Sequence, residues 1–167
     1  ASTDGFDEEI AENALLNYGR LKFELDGDVF NESINVLKRY LDKYPTSEHC
    51  PEVQTLLIAA YYNSKDYGSA YAAIKAFPNP DKELRMAFQK VAVFRAVDAV
   101  EEGNYDLAQP LLEEAELIGI SPKYKALAIY WQGEIAMLKG EYEGAKQKYE
   151  TYIRLAPKSD VEYLMAH

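Results

Sequence analysis

Four small residues stand at nearly equal intervals in this chain: Ser33, Ala70, Ala108 and Ala145 are 37, 38 and 37 residues apart. An aromatic residue precedes each by three positions (Phe30, Tyr67, Tyr105, Tyr142), and Leu37, Ile74, Leu112 or Tyr149 follows each by four. Offsets of three and four return a side chain to the same face of a helix. The pattern therefore describes a helical unit used several times at a period of about 37. One such unit cannot bury its apolar face alone, so neighbours must stack to make a core. Strand-type alternation is nowhere sustained, and a sheet architecture does not fit.

Turn formers divide each unit into two helices: Leu25-Asp26-Gly27-Asp28, Ser64-Lys65-Asp66, Glu102-Gly103-Asn104 and Lys139-Gly140-Glu141. Within the helices the apolar face is legible, as in Val53, Leu56, Leu57, Ala60 and Tyr61 after Pro51. Another such face comprises Tyr142, Ala145, Tyr149, Tyr152, Ile153 and Ala156, before Pro157. Asn79-Pro80 reads as a cap and first turn. The spacing predicts helices over about 7–25, 30–44, 51–64, 67–77, 80–102, 105–117, 123–139 and 142–155. The units are about 12–47, 48–79, 80–121 and 122–158 of a single array. Residues 159–167, with Val161, Tyr163, Leu164 and Met165, read as the start of a further helix, and the chain as a segment of a longer protein.

Charge and residue counts narrow the function. The 167 residues carry 18 Lys+Arg against 28 Asp+Glu, a net charge of −10, which repels phosphate backbones and anionic lipid. Nucleic acid is thereby disfavoured as a partner. No apolar run reaches the roughly 18 to 20 residues of a membrane span. The acidity is uneven: residues 82–95 hold four bases against Glu83, whereas residues 101–120 hold six acids and no base. Paired acids such as Glu101-Glu102 and Glu113-Glu114 fall on helix ends or outward faces, not in a cleft that would drive two pKa values apart. His49, His167 and Cys50 are too few and too scattered for a structural zinc site, and adjacent His49-Cys50 do not converge on one reacting atom. Phosphate-loop, zinc-protease and nucleophile-elbow motifs are absent. No catalytic residue, metal or cofactor is expected.

The repeat resembles the tetratricopeptide family, a helix-turn-helix unit with a W, L-G, Y, A, F, P signature. Trp131, Gly133, Gly140, Tyr142, Ala145, Tyr149 and Pro157 match it most closely, and Tyr44-Pro45-Thr46-Ser47 matches its inter-repeat loop. Ile58 and Ala96 replace the small glycine position, Gly19 lies two residues early with an enlarged turn around Asp26 to Val29, and Pro122 lies two residues late. The resemblance implies an all-α, right-handed α-solenoid of about four units plus a C-terminal helix stub. It assigns Tyr67, Tyr105, Tyr142 and Tyr149 to packing.

In that family the first helix of each unit lines a concave groove that selects peptides or partner helices. Carried over, the groove residues are Thr55, Ala59, Tyr62, Asn63, Lys90, Val93, Val97, Tyr130, Glu134 and Met137. A carboxylate clamp of the chaperone-binding type is not expected, because of its places only Lys90 is kept, with Leu16, Arg20, Leu56 and Phe94 at others. The expected function is a non-enzymatic scaffold for a protein or peptide partner, with further repeats of the same chain as another contact. Its Tyr-Pro-x-Ser loop and its Asn-Tyr and Glu-Tyr turns resemble bacterial envelope proteins of this class, including those serving outer-membrane assembly or the Tol-Pal system. A periplasmic or outer-membrane placement is accordingly preferred over a cytoplasmic one. The alternative is a glycan or small-ligand binding protein that uses Tyr61, Tyr62, Tyr71, Tyr124 and Tyr130 as an aromatic platform.

Overall fold

The computed structural model describes residues 3–25, 32–77 and 79–156. Among them are eight helices and no strand: α1 (Thr3–Leu25), α2 (Glu32–Lys43), α3 (Cys50–Asn63), α4 (Tyr67–Lys75), α5 (Lys82–Glu101), α6 (Tyr105–Ile118), α7 (Pro122–Leu138) and α8 (Tyr142–Leu155). The predicted spans agree to within four residues at each end. Phe30, the enlarged turn around Asp26 to Val29 and the stub at 159–167 lie outside the described residues.

Caps set several of these borders. Side chains of Asp66, Asp81 and Asn104 accept hydrogen bonds from the amides of Ser69, Leu84 and Leu107 at 3.0, 2.7 and 3.2 Å. Each satisfies an amide that a helix start leaves without an intrahelical partner. The predicted cap at Asn79 is therefore displaced to Asp81. Asn79 takes a left-handed conformation with φ 55°, one that asparagine tolerates better than most residues, and Pro80 precedes the helix. The turns within three pairs are the same turn. Lys65, Gly103 and Gly140 have φ of 60°, 74° and 78°, and the next amide reaches back to Tyr61, Ala99 or Ala136 in each case. This closes the last turn of the first helix and reverses the chain.

Contacts gather the chain into two units, Ala1–Phe77 and Pro78–His167. In the first, α1 packs on α2 and α3, α2 on α3, and α3 on α4. Its core joins Leu16, Ile34, Leu37, Tyr40, Tyr44, Val53, Leu57 and Ala60. Gly19, although out of phase, performs the glycine's role: a Cβ there would lie 3.1 Å from Leu37 Cδ2. A polar lock completes this unit. The buried Tyr40 donates its hydroxyl proton to Glu12 Oε1 at 2.6 Å, and Ser47 donates to the same oxygen. Arg20 grips both carboxylate oxygens of Glu52 at 2.6 and 2.7 Å. Together these tie α1 to α2, to the loop after it and to α3.

In the second unit α5 packs on α6 and α7, α6 on α7, and α7 on α8. Across both units the four phase residues are between 0 and 3% exposed, and so are Leu37, Ile74 and Leu112 four positions on. Two side-chain amides are buried here, Gln89 and Gln132. Gln89 donates to the carbonyls of Ala115 and Ser121 at 3.0 and 3.2 Å and accepts from the Ser121 amide at 2.7 Å, latching α5 to the α6–α7 turn. Gln132 donates to Glu116 and accepts from Lys148, linking α6, α7 and α8. One packing assignment is corrected: Tyr142 is 69% exposed. It stands on the first turn of α8, where no described helix covers it.

Three outcomes follow. Lys65 is the only one of the three equivalent turn residues with a Cβ, which costs about 1 kcal/mol in the left-handed region; Lys65→Gly is expected to raise the melting midpoint by about 2–4 °C. At Gly133 an added Cβ would meet Tyr149 Cε1 at 2.9 Å. Overpacking of about 1–3 kcal/mol outweighs the helix propensity of alanine, about 1 kcal/mol, so Gly133→Ala should lower the midpoint in the same calorimetric scan. Hydrogen bonds from Ser47 and then Tyr40 hold the Glu12 carboxyl below its ordinary value of 4.5, so folding favours the ionised form. Its contribution is full above that value and drains away as pH falls through the depressed one. In denaturant titrations from neutral pH downward, Glu12→Gln should be less stable at neutral pH and lose less stability below pH 4.5 than the parent.

Candidate partner-binding faces

The residues expected to line a groove fall on α3 in the first unit and on α5 and α7 in the second. On α3, Thr55 and Asn63 are exposed and Ala59 and Tyr62 half-buried. The four share one face, since their offsets of four, three and one keep them within about a quarter turn of each other. The Thr55 hydroxyl donates back to the Pro51 carbonyl at 2.9 Å. Tyr62 lies against Tyr67 at 5.6 Å between ring centroids.

On α5, Lys90 and Val97 are half-buried, whereas Val93 is 1% exposed and belongs to the core. Val93 is removed from the surface because α5 is flanked by both α6 and α7. Between α5 and α7, Phe94 meets Tyr124 edge-on at 6.3 Å.

The counterpart of Val93 one repeat later is Tyr130, 37 residues on, and it is half-buried instead. Its ring is held among Trp131, Tyr149 and Tyr152 at 5.8, 5.9 and 5.3 Å. Burial, followed by the nearby Glu134 carboxylate, pushes the Tyr130 hydroxyl up to about 12. Burial and then the hydrogen bond to Glu134 raise Tyr149 as well. Both tyrosines stay protonated across the physiological range and act only as hydrogen-bonding groups. Tyr149 donates to Glu134 Oε1 at 2.7 Å, so the carboxylate is fixed in position while remaining half-buried. One turn further, Met137 is exposed and borders a shallow hollow of about 260 Å³ with Tyr142, Ala145, Lys146, Tyr149, Glu150 and Ile153. Tyr142 and Ile153 were not foreseen as surface groups, because the repeat pattern assigns them to packing.

A flat aromatic platform has no support. Tyr61 packs on the core of the first unit. The ring pairs made by Tyr62, Tyr124 and Tyr130 are tilted or edge-on, with interplanar angles from 46° to 82°. Lys75 caps Tyr71, with its ammonium 5.1 Å from the ring centroid and 3.0 Å from the hydroxyl. Within the acidic stretch, Glu101, Glu102, Asp106 and Glu113 are exposed, as expected of a solvated face, and Glu116 is engaged by Gln132. Among the described residues no cluster of His, Cys, Asp or Glu could hold a metal ion, and no helix is long and apolar enough to cross a membrane.

Two families match the chain. The family described as outer membrane lipoprotein (YfiO) matches residues 11–83, and the family described as tetratricopeptide repeat matches residues 127–159. No curated protein and no solved structure matches at a significant level. With helix pairs in phase from Ser33 to Ala145, the chain is an all-α protein that resembles the tetratricopeptide repeat family, and the repeat segments of envelope proteins in particular.

Proposed function

We propose that this chain is a non-enzymatic scaffold that receives a peptide or a partner helix on the first-helix faces of its repeats, within an envelope complex at the outer membrane or in the periplasm. Tetratricopeptide repeats mediate protein–protein interaction, and the outer membrane lipoprotein match supports the envelope placement. The observation that carries the reading is the row Tyr130, Glu134 and Met137 on α7 beside the hollow that Tyr142 and Ile153 border. Tyr149, which orients the Glu134 carboxylate, also lines the hollow, together with Met137, Tyr142 and Ile153 and the charged Lys146 and Glu150. Such a surface takes an apolar anchor into the hollow and a Lys, Arg or amide donor onto Glu134. In the first unit Thr55, Ala59, Tyr62 and Asn63 offer a second face, and Lys90 and Val97 extend the face of the second unit on α5. Val93 has no part in it.

The test uses the protein as bait for envelope extract, with captured polypeptides identified by cross-linking. Met137→Arg and Ile153→Glu are expected to weaken capture of a specific polypeptide about tenfold or more, for a loss of roughly 1.4 kcal/mol, with the helical circular dichroism unchanged. Thr55→Arg tests the first unit in the same way. Tyr130→Ala is a poor probe, since removing a packed aromatic ring costs about 3 kcal/mol of stability. Capture indifferent to changes on both faces would overturn the proposal.

A further inference from the structure

Glu134, Tyr149 and Tyr130 stand where the preceding repeat, 37 residues earlier, has Val97, Leu112 and Val93. That repeat closes α5 on α6 with the apolar set, Leu112 and Val93 being 0 and 1% exposed, so packing does not call for a carboxylate and two phenols on α7 and α8. The Tyr149 hydroxyl donates to Glu134 Oε1 at 2.7 Å, which occupies one of the roughly four lone-pair sites of a carboxylate. A neutral amide oxygen would satisfy Tyr149 as well. Glu134 instead carries a full charge, and among the described residues no Lys or Arg pairs with it. It is half-buried, and a carboxylate partly withdrawn from water attracts a cation more strongly than one in open solvent.

We propose that Glu134 is the recognition point for an arginine of the partner polypeptide, its guanidinium paired with the carboxylate and laid against the Tyr130 ring, while an apolar neighbour of that arginine enters the hollow at Met137 and Ile153. This selection rests on the α7–α8 face receiving the partner, as proposed above. Arginine suits the site better than lysine. Its planar fork meets a carboxylate through two parallel hydrogen bonds and stacks on an aromatic face, whereas an ammonium is a point charge. Tyr130 lies one helical turn before Glu134 on the same face of α7. Its ring is held by Trp131, Tyr149 and Tyr152 and the carboxylate by Tyr149, so neither has to be ordered when the partner binds. Charge agrees: Lys146 and Glu150 at the hollow carry opposite signs, Glu134 adds a negative one, and the net charge of −10 draws cationic segments towards the chain.

A random-peptide display library selected on the protein, followed by fluorescence anisotropy of the strongest peptide, tests this. The recovered peptides are expected to carry an arginine at a fixed offset from an apolar residue. Replacing that arginine by glutamine should weaken binding about tenfold or more, and replacing it by lysine should also weaken it. Glu134→Gln, which keeps an acceptor for Tyr149, should weaken the arginine peptide by a similar factor and have little further effect on the glutamine peptide. Loss of structure alone would weaken both peptides, and the peptide replacements read the contact with the protein unchanged. Peptides that depend on Met137 and Ile153 but show no preference for arginine, that accept lysine equally, or that bind Glu134→Gln as tightly as the parent, would overturn the arginine selection and leave the partner surface standing. A library yielding no peptide sensitive to Met137→Arg or Ile153→Glu would overturn the partner surface, and the selection with it.

Discussion

Two helices come together closely only where one of them offers almost no side chain, and this chain meets that condition at Ser33, Ala70, Ala108 and Ala145, all buried. The space released is filled from the same face four residues later by Leu37, Ile74 and Leu112. On the facing helix the glycines supply the other half of the approach: Gly133 against Tyr149 and Gly19 against Leu37. A larger side chain at any of these points would part a helix pair, and every other contact in its unit depends on that pair staying closed.

Close packing alone would leave helices free to slide, because apolar contact is not directional. Directional groups prevent this. Gln89 is fully satisfied by two carbonyls and an amide at the α6–α7 turn, and a one-turn slip of α5 would strand it in the core at a cost of about 1–3 kcal/mol for each unmet bond. In the first unit the shared carboxylate of Glu12 does the same for α1, with the Arg20–Glu52 pair at a second point. These groups hold the register, and with it the positions of Tyr62, Tyr130 and Glu134 on their faces.

Equivalent repeat positions end in different environments because their neighbours differ. Val93 and Tyr130 occupy the same place one period apart, yet the first is core and the second is half-buried surface. Likewise Tyr67 and Tyr105 are half-buried while Tyr142 stands in solvent. The face proposed for a partner on α7 and α8 lies where Met137, Tyr142 and Ile153 remain exposed.

The sequence by itself determined the helices, their pairing and the turn residues, because these depend on spacing within about ten residues and on local caps; the eight spans and the four buried small residues were legible from periodicity. It did not disclose the roles of Gln89 and Gln132, since a polar residue reads as surface until its partners, 16 to 32 residues away, are brought to it. Nor did it separate Val93 from Tyr130. Tertiary structure decided those points, because burial is a property of what stands next to a residue in space and a repeat pattern assigns every copy of a position the same neighbour.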